Sequence, residues 1–150
     1  MNQPFEKSFF VRWGEVDFNG HMQNTAYLEC AADVRMLYFA AHDFPMSEFQ
    51  RLQLGPVVLQ DMVEYYKELR LLETFRVTLL LVGYTADLSR IRIRNEFFRA
   101  DGKLAARITS LVTWVDWTTR KITTPPEKLA TLFRASVRSD DFALMIEPSA

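Results

Sequence analysis

An aspartate, a histidine and two asparagines stand close together in the segment EVDFNGHMQNTAYLE, residues 15–29. Asp17 and His21 are residue types that can transfer protons, and a carboxylate can also attack a carbonyl carbon. Asn24 lies where a long apolar run begins, and the first N–H groups of a helix have no partner within that helix. The segment therefore indicates either an elaborate helix cap or an active site.

One long helix is predicted over residues 24–44, because apolar residues recur there with a helical period, at positions 27, 30, 31, 34, 37, 38 and 41. Its other faces also carry apolar side chains, including Leu28 and Met36, which predicts a helix buried nearly all round. Pro45 is expected to end the helix, since the residue before a proline disfavours the α region. His42, late in the helix, is expected to be structural.

Five strands and a second helix are predicted around this helix. The strands are rich in β-branched and aromatic residues or alternate in polarity, and they cover residues 8–13, 56–69, 74–86, 89–100 and 103–117. Asp101-Gly102 predicts a hairpin, so the last two strands are expected to be antiparallel neighbours. The second helix is predicted over residues 123–135. There Thr124 and Glu127 match a capping box, and Pro125 would take the first helical position.

The order of these elements indicates an α+β fold in a single domain, residues 1–150. A run of strands after one long helix favours an antiparallel sheet that packs on that helix. We therefore expect a five-stranded antiparallel sheet curved around a long central helix. A chain of this length buries roughly two thirds of its unfolded surface, which is enough for one core.

Composition narrows the classes of function. Lys plus Arg number 18 and Asp plus Glu number 19, and the resulting net charge of -1 argues against a general nucleic-acid binder. Cys30 is the one cysteine, so neither a disulfide framework nor a cysteine-rich metal site is expected, and we expect no metal or cofactor. No apolar run approaches the roughly 18 residues of a membrane span. The first ten residues lack a signal-peptide pattern, so we expect a cytoplasmic protein.

The motif and the element order together resemble the hotdog-fold acyl-CoA thioesterases, in particular the branch of 4-hydroxybenzoyl-CoA thioesterase and YbgC-like proteins. The motif is RWGEVDFNGHMQNTAYL, from Arg12 to Leu28, and the element order agrees over residues 8–118. In that family an acid, a Gly-His pair, an asparagine and a tyrosine lead into the long helix. Many relatives carry two adjacent asparagines where this chain has Gln23-Asn24, so the departure affects the first amide alone.

This resemblance implies a chemistry for three residues. Asp17 would act as the nucleophile or as the general base in thioester hydrolysis, and the two roles stay open. The backbone N–H of Asn24 would stabilise the negative charge on the carbonyl oxygen. His21 would orient the thioester or water, or only hydrogen-bond the loop. The substrate would be an acyl-CoA or an acyl thioester of acyl carrier protein.

The resemblance also implies supporting residues and an assembly. Gly20 would form a tight turn that returns Asp17 to the helix start. Tyr27 would line the acyl pocket or the subunit interface, unless it only packs in the core. Glu64 would either support the site from behind its lining residues or lie on the substrate side. From its position alone, Glu15 is expected to be a surface residue or to tie the loop. Family members pair subunits edge to edge, so we expect a homo-oligomer, a dimer or a tetramer.

Other interpretations stay open. Asp17 and Asn24 are also common helix caps. A hydratase of the same fold acting on enoyl-CoA carries the spacing D-x-N-P-x-H, whereas His21 here comes one residue early and no proline is present. A non-catalytic acyl-binding module is the third interpretation.

Arginines at 90, 92, 94 and 99 predict an exposed basic stripe. This stripe would be either a solvated strand face or a surface that attracts the phosphates of coenzyme A.

Overall fold

The structure is a computed structural model that describes residues 3–146, so the ends of the expected single domain lie outside the described residues. Its helices in this range are α1 (Asn24–Ala41), α2 (Met46–Leu52) and α3 (Glu127–Ala135), and a 3-10 turn covers Trp13–Glu15. Its strands are β1 (Phe5–Phe10), β2 (Leu54–Tyr65), β3 (Thr74–Thr85), β4 (Arg90–Arg99), β5 (Leu104–Asp116), β6 (Ile122–Thr123) and β7 (Arg138–Met145).

All of these strands belong to one sheet. Its main path runs β1-β3-β4-β5-β2, and each neighbouring pair on this path is antiparallel. The predicted α+β fold with a five-stranded antiparallel core is therefore confirmed. The sequence patterns do not predict β6, which pairs with β5, or β7, which runs parallel to β3. The sheet of residues 3–146 thus has seven strands rather than five.

Aromatic contacts fix α1 on one face of this sheet. Near its start, Tyr27 meets Phe97 of β4 edge-on, with ring centroids 5.2 Å apart. Near its end, Phe39 meets Trp114 of β5, with centroids 6.2 Å apart. Val34, between these contacts, is fully buried. The predicted hairpin between β4 and β5 is also confirmed, and Gly102 has the positive φ of 85° that its turn requires.

The end of α1 lies three residues before the predicted one. Asp43 adopts a left-handed φ of 63°, and the backbone N–H of Phe44 donates to the carbonyl of Phe39 at 2.9 Å. This 6→1 hydrogen bond ends a helix by a Schellman motif, so the chain leaves the helix before Pro45 is reached. Pro45 instead precedes α2, a helix that is too short to leave a clear periodic signal in the sequence.

The capping-box prediction for the last helix is wrong. Residues 122–123 form β6 and pair with β5, and α3 begins only at Glu127. Pro126 takes the N-cap position and no side chain caps the helix. Two consecutive prolines explain the shift, since each disfavours the α region for the residue before it. Pro125 is therefore held outside the helix, and Thr124 cannot be its N-cap.

The first strand is also displaced. It covers Phe5–Phe10 rather than residues 8–13, because its partner strand sets the end of the pairing. Phe10 lies opposite Thr74, where β3 begins. Beyond this point the chain has no strand to pair with and enters the 3-10 turn.

One side of α1 is not covered, so the prediction of a helix buried nearly all round is wrong for the single chain. Leu28 and Met36 are 37% and 54% exposed. The neighbouring edge strand β2 likewise exposes large apolar side chains, namely Val57, Val58, Leu59, Met62 and Tyr65. Because β2 is the last strand on its side of the main path, this surface combines an open strand edge with apolar side chains.

Candidate active site

The loop between β1 and α1 is closed at its base by backbone hydrogen bonds. The N–H of Gln23 donates to the carbonyl of Glu15 at 2.7 Å, and Val16 forms an antiparallel bridge with Met22. These contacts return the chain from the 3-10 turn to the start of the helix. The loop tip between them carries Asp17.

Asp17 is held by the backbone of its own loop. Its Oδ1 atom accepts hydrogen bonds from the N–H groups of Asn19 at 2.9 Å and His21 at 3.2 Å. Gly20 turns the chain with a φ of 75°, a conformation that other residues adopt at a cost. Within residues 3–146, no donor is bonded to the other carboxylate oxygen. The carboxylate is thus oriented and keeps one oxygen for chemistry.

Asn24 is the first residue of α1, as predicted. Gln23 occupies the N-cap position and its side chain makes no capping hydrogen bond, so a side-chain cap by Asn24 is not what starts the helix. In the described chain, no acceptor is bonded to the backbone N–H of Asn24. The start of an 18-residue helix also carries partial positive charge. The position therefore has a free donor in a field that favours negative charge.

Both features border one cavity of about 340 Å³. The predicted residues on its wall are Asp17, His21, Asn24 and Tyr27. Residues that sequence analysis did not identify complete it: Met22, Tyr65, Tyr66, Lys67 and Glu68. The structure therefore brings four of the six predicted site residues together. Gly20 forms the turn of the loop and does not line the cavity.

Glu64 does not line this cavity. It lies near the end of β2 opposite Arg107, and its carboxylate accepts a hydrogen bond from the Tyr66 hydroxyl at 2.9 Å. Tyr65, the next residue, takes the opposite face and reaches the site, where its hydroxyl lies 3.5 Å from the carbonyl oxygen of Asn24. Strand alternation thus places Tyr65 at the cavity and directs Glu64 away from it.

Tyr27 forms the buried wall of the cavity. It is 3% exposed and lies edge-on to the ring of Tyr65, with centroids 5.3 Å apart. Burial raises the pKa of Tyr27 to about 12, so the hydroxyl stays neutral. The residue can therefore shape the cavity and donate a hydrogen bond, but it is a poor base.

His21 is tied to a distant part of the chain. Its Nε2 atom lies 3.1 Å from Oε2 of Glu68, and the N–H of Met22 donates to the carbonyl of Leu69 at 2.7 Å. A hydrogen bond from Arg70 lowers the pKa of Glu68, which keeps that carboxylate charged. His21 therefore anchors the loop against the segment after β2. The other histidine, His42, bonds the carbonyl of Tyr38 at 2.7 Å, as a structural residue would.

Glu15 ties the loop, as predicted, but it is buried rather than superficial, with 7% exposure. Its carboxylate accepts from the backbone N–H of Arg12 at 2.9 Å and from the guanidinium of the same residue at 3.2 Å. Burial acts to raise the pKa of Glu15, but these hydrogen bonds outweigh it and leave the pKa below its ordinary value. The charged form of Glu15 therefore supports the folded loop.

The Glu15→Gln variant is expected to unfold more easily at neutral pH, by about 1 kcal/mol, because charge-assisted hydrogen bonds are lost. Since the folded pKa is depressed, this contribution is present above the ordinary pKa of 4.5 and is lost as pH falls through the folded value. Urea unfolding between about pH 6 and about pH 3 measures it. The difference between the two proteins should shrink toward low pH, and a constant difference contradicts this role.

The arginines of β4 do not form the exposed stripe that was predicted. They are half-buried. Arg94 is paired with Asp141 of β7 at 3.0 Å, and Arg99 with Glu73 at 3.4 Å. The unpredicted strand β7 supplies the first of these partners. Among the described residues, no cluster of side chains could hold a metal ion, and no helix is long and apolar enough to cross a membrane.

Known structures share this architecture over almost the whole chain. The hypothetical protein SAV2348 from Staphylococcus aureus, solved in complex with CoA, is 22% identical with a TM-score of 0.82, covering 99% of this chain and 98% of that one. Slr0204, a 1,4-dihydroxy-2-naphthoyl-CoA thioesterase from Synechocystis, is 13% identical with a TM-score of 0.79, covering 89% and 97%. At such identities the likeness establishes the hotdog fold alone.

No curated protein matches this chain in sequence. A family model does match: that of the thioesterase-like superfamily, over residues 11–133. The matched range begins just before the site loop and ends within α3, so it includes the cavity and the whole main path of the sheet except β1. The chain belongs to the thioesterase-like superfamily.

Proposed function

We propose that this protein hydrolyses the thioester bond of an acyl-CoA, or of an acyl group on acyl carrier protein, to a free acid and a thiol. The observation that carries the proposal is that Asn24, with its free backbone N–H, and Asp17, with its oriented carboxylate, line the same cavity. Membership of the thioesterase-like superfamily supports it. We assign the chain to the 4-hydroxybenzoyl-CoA thioesterase and YbgC-like branch, and to the cytoplasm.

The carbonyl oxygen of the thioester would accept the hydrogen bond of the Asn24 N–H. As the carbonyl carbon becomes tetrahedral, the negative charge on this oxygen would be stabilised by the N–H and by the positive end of α1. An N–H donor fixed in the backbone needs no rearrangement when this charge appears. The main electrostatic stabilisation of the transition state would therefore come from the backbone N–H of Asn24, not from its side chain.

Asp17 would supply the attack in one of two ways. As a general base, it would take a proton from water while the water oxygen adds to the carbonyl carbon. Collapse of the tetrahedral intermediate would expel the thiolate, which takes up the proton held by Asp17. As a nucleophile, it would form an acyl anhydride with loss of the thiolate, and water would then cleave the anhydride. Either route leaves the carboxylate unchanged after one turnover.

Other residues would support this reaction. Gly20 allows the turn that orients Asp17, and His21 would hold the loop or orient the thioester. Tyr27 would line the acyl side of the cavity. Glu64 would act indirectly, through its hydrogen bond with Tyr66. Lys67 lines the cavity and would attract the phosphates of coenzyme A.

We further propose that the protein works as a homodimer or a tetramer paired through β2. This strand is an open edge of 12 residues that carries exposed apolar side chains, and an edge of that kind invites pairing with a second copy. The partner would also cover the exposed side of α1. Residues of two chains would then enclose each cavity.

The Leu59→Lys variant tests this assembly. Leu59 is 48% exposed on β2, and a lysine there would place a charge in the middle of the proposed interface. We expect the mass in solution to fall to that of one chain, and thiol release to fall with it. Light scattering after size exclusion gives the mass. Lys103→Leu, at the turn between β4 and β5, provides a charge-change control, and an unchanged mass for Leu59→Lys contradicts pairing through β2.

The proposed activity is tested by thiol release from a panel of short-chain, long-chain and aryl acyl-CoA thioesters. We expect release from at least one member of the panel. A folded protein that releases thiol from none contradicts the proposal. Water addition to crotonyl-CoA would instead indicate the hydratase, and acyl-CoA binding without turnover would indicate the non-catalytic module.

A further inference from the structure

A second cavity of about 340 Å³ lies at the other end of α1. Its walls come from the exposed side of α1 and from the first half of β2, with α2 closing one end. Most of the lining is aromatic or aliphatic, and Phe39, Phe49 and Trp114 form its inner surface. It is distinct from the cavity that contains Asp17.

The two cavities lie at opposite ends of α1 and of β2. Asn24 and Tyr65 border the first cavity, whereas Ala32 and Val58 border the second. Ala32 lies eight residues after Asn24, which is about 12 Å along the helix. Leu28 stands between them on the same helix face, since residues four apart share a face, and it is exposed. An extended acyl chain that starts at the Asn24 N–H could therefore follow this face to the second cavity.

Arg35 is the one charged residue among the described residues that line the second cavity. Its guanidinium makes no hydrogen bond or ion pair with any residue of the described chain. Burial lowers the pKa of Arg35, and the carboxylate of Asp61 acts in the opposite direction. However, Asp61 is not within ion-pair distance, and its Oδ1 already accepts a hydrogen bond from Ser110 at 2.5 Å.

Arg35 is half-buried, so apolar surface replaces part of the hydration of its guanidinium, which is unfavourable for the folded chain. Removing a charged group from water is unfavourable unless a counter-charge and hydrogen bonds replace the solvent. The lining side chains supply aromatic and aliphatic surface around Arg35 but no carboxylate. A bound anion with two oxygens would satisfy the guanidinium with a pair of parallel hydrogen bonds.

We propose that Arg35 selects acyl groups whose far end carries a carboxylate, so that the substrate class is ω-carboxyacyl thioesters. The proposal rests on the proposed thioesterase function. The acyl chain would lie along the face of α1 that carries Leu28, with its thioester at Asn24, and its terminal carboxylate would pair with Arg35. Arg35 would then determine specificity through binding and would take no part in bond cleavage.

The test compares acyl-CoA pairs of equal length that end either in a methyl group or in a carboxylate, such as dodecanoyl-CoA and the mono-CoA thioester of dodecanedioic acid. We expect the unaltered protein to prefer the carboxylate-ended member in kcat/KM. Arg35→Met should lower kcat/KM for that member by about 10- to 100-fold, mainly through KM, because charge-assisted hydrogen bonds are lost. Arg35→Lys should restore part of it. Arg134→Met, at an exposed arginine of α3, is the matched control and should change neither substrate.

Binding distinguishes this proposal from the proposed function. Calorimetry on the Asp17→Asn background measures affinity for both members of each pair without turnover. One outcome is that the protein cleaves no thioester and still binds the carboxylate-ended member more tightly, with this preference lost in Arg35→Met. That result supports the inference about Arg35 and contradicts the proposed thioesterase activity. Equal affinities for both members contradict the inference. An equal loss of oligomeric mass in Arg35→Met and in Asp61→Asn also contradicts the inference. Arg35 would then form an ion pair with an Asp61 carboxylate across the subunit interface.

Discussion

The Asp17→Asn variant is expected to release thiol from acyl-CoA about 10²- to 10⁴-fold more slowly than the unaltered protein, the range that a positioned base or nucleophile contributes. An amide neither takes up the proton of an attacking water nor attacks the carbonyl carbon. The loss should appear in kcat, since the shape of the cavity is unchanged. Both proposed routes for Asp17 predict this result.

The same substitution should leave the fold intact. The Oδ1 atom of an asparagine can still accept the hydrogen bonds from the N–H groups of Asn19 and His21. The side chain is exposed, so little packing is at risk. Asp33→Asn, at an exposed position of α1, makes the same chemical change away from the cavity and should keep full activity. A folded Asp17→Asn protein with the rate of the unaltered one contradicts the assignment of Asp17.

Asn24→Pro is expected to lower kcat by about 10²- to 10³-fold, the loss seen when one oxyanion donor is removed. Proline has no backbone N–H, so this substitution deletes the donor itself. The helix should tolerate it, because proline suits the first helical position. Gln23 already has an extended ψ of 152°, which is the conformation that proline favours in the residue before it.

Asn24→Ala is the matched control for this prediction. It removes the side-chain amide, which does not cap the helix, and it keeps the backbone N–H. We expect its kcat to stay within a few-fold of the unaltered value. If Asn24→Ala loses as much activity as Asn24→Pro, the side chain rather than the backbone carries the role. Circular dichroism and thermal melting confirm that both variants keep the helix.

The parts of the site that could be predicted are local in sequence. Asp17, Gly20 and Asn24 lie within eight residues, and their arrangement depends on one turn and one helix start. The helical period marks the start of α1, and Asp101-Gly102 marks the hairpin. In these cases the residues that determine the conformation are the residues that adopt it.

The parts that could not be predicted depend on distant segments. Tyr65 and Glu68 reach the cavity because the N–H of Met22 bonds the carbonyl of Leu69, a contact between residues far apart in the chain. The end of α1 depends on a left-handed residue, Asp43, whose type carries only a weak signal. Strand β7 runs parallel to β3, and no local sequence pattern predicts such a pairing.

The burial of α1 illustrates a different limit. Apolar side chains occur on nearly all its faces, which indicates burial, yet Leu28 and Met36 are exposed in the single chain. Proposed pairing through β2 would reconcile the pattern with the structure. The sequence pattern would then describe the assembled protein rather than one chain.

The central claim is that Asp17 and the backbone N–H of Asn24 act together on a thioester carbonyl. The most direct test is the kcat for thiol release from one saturating acyl-CoA, measured side by side for the unaltered protein, Asp17→Asn, Asn24→Pro and Asn24→Ala. We predict release by the unaltered protein and by Asn24→Ala, and losses of about 10²-fold or more in the other two. Equal rates in all four folded proteins would contradict the account.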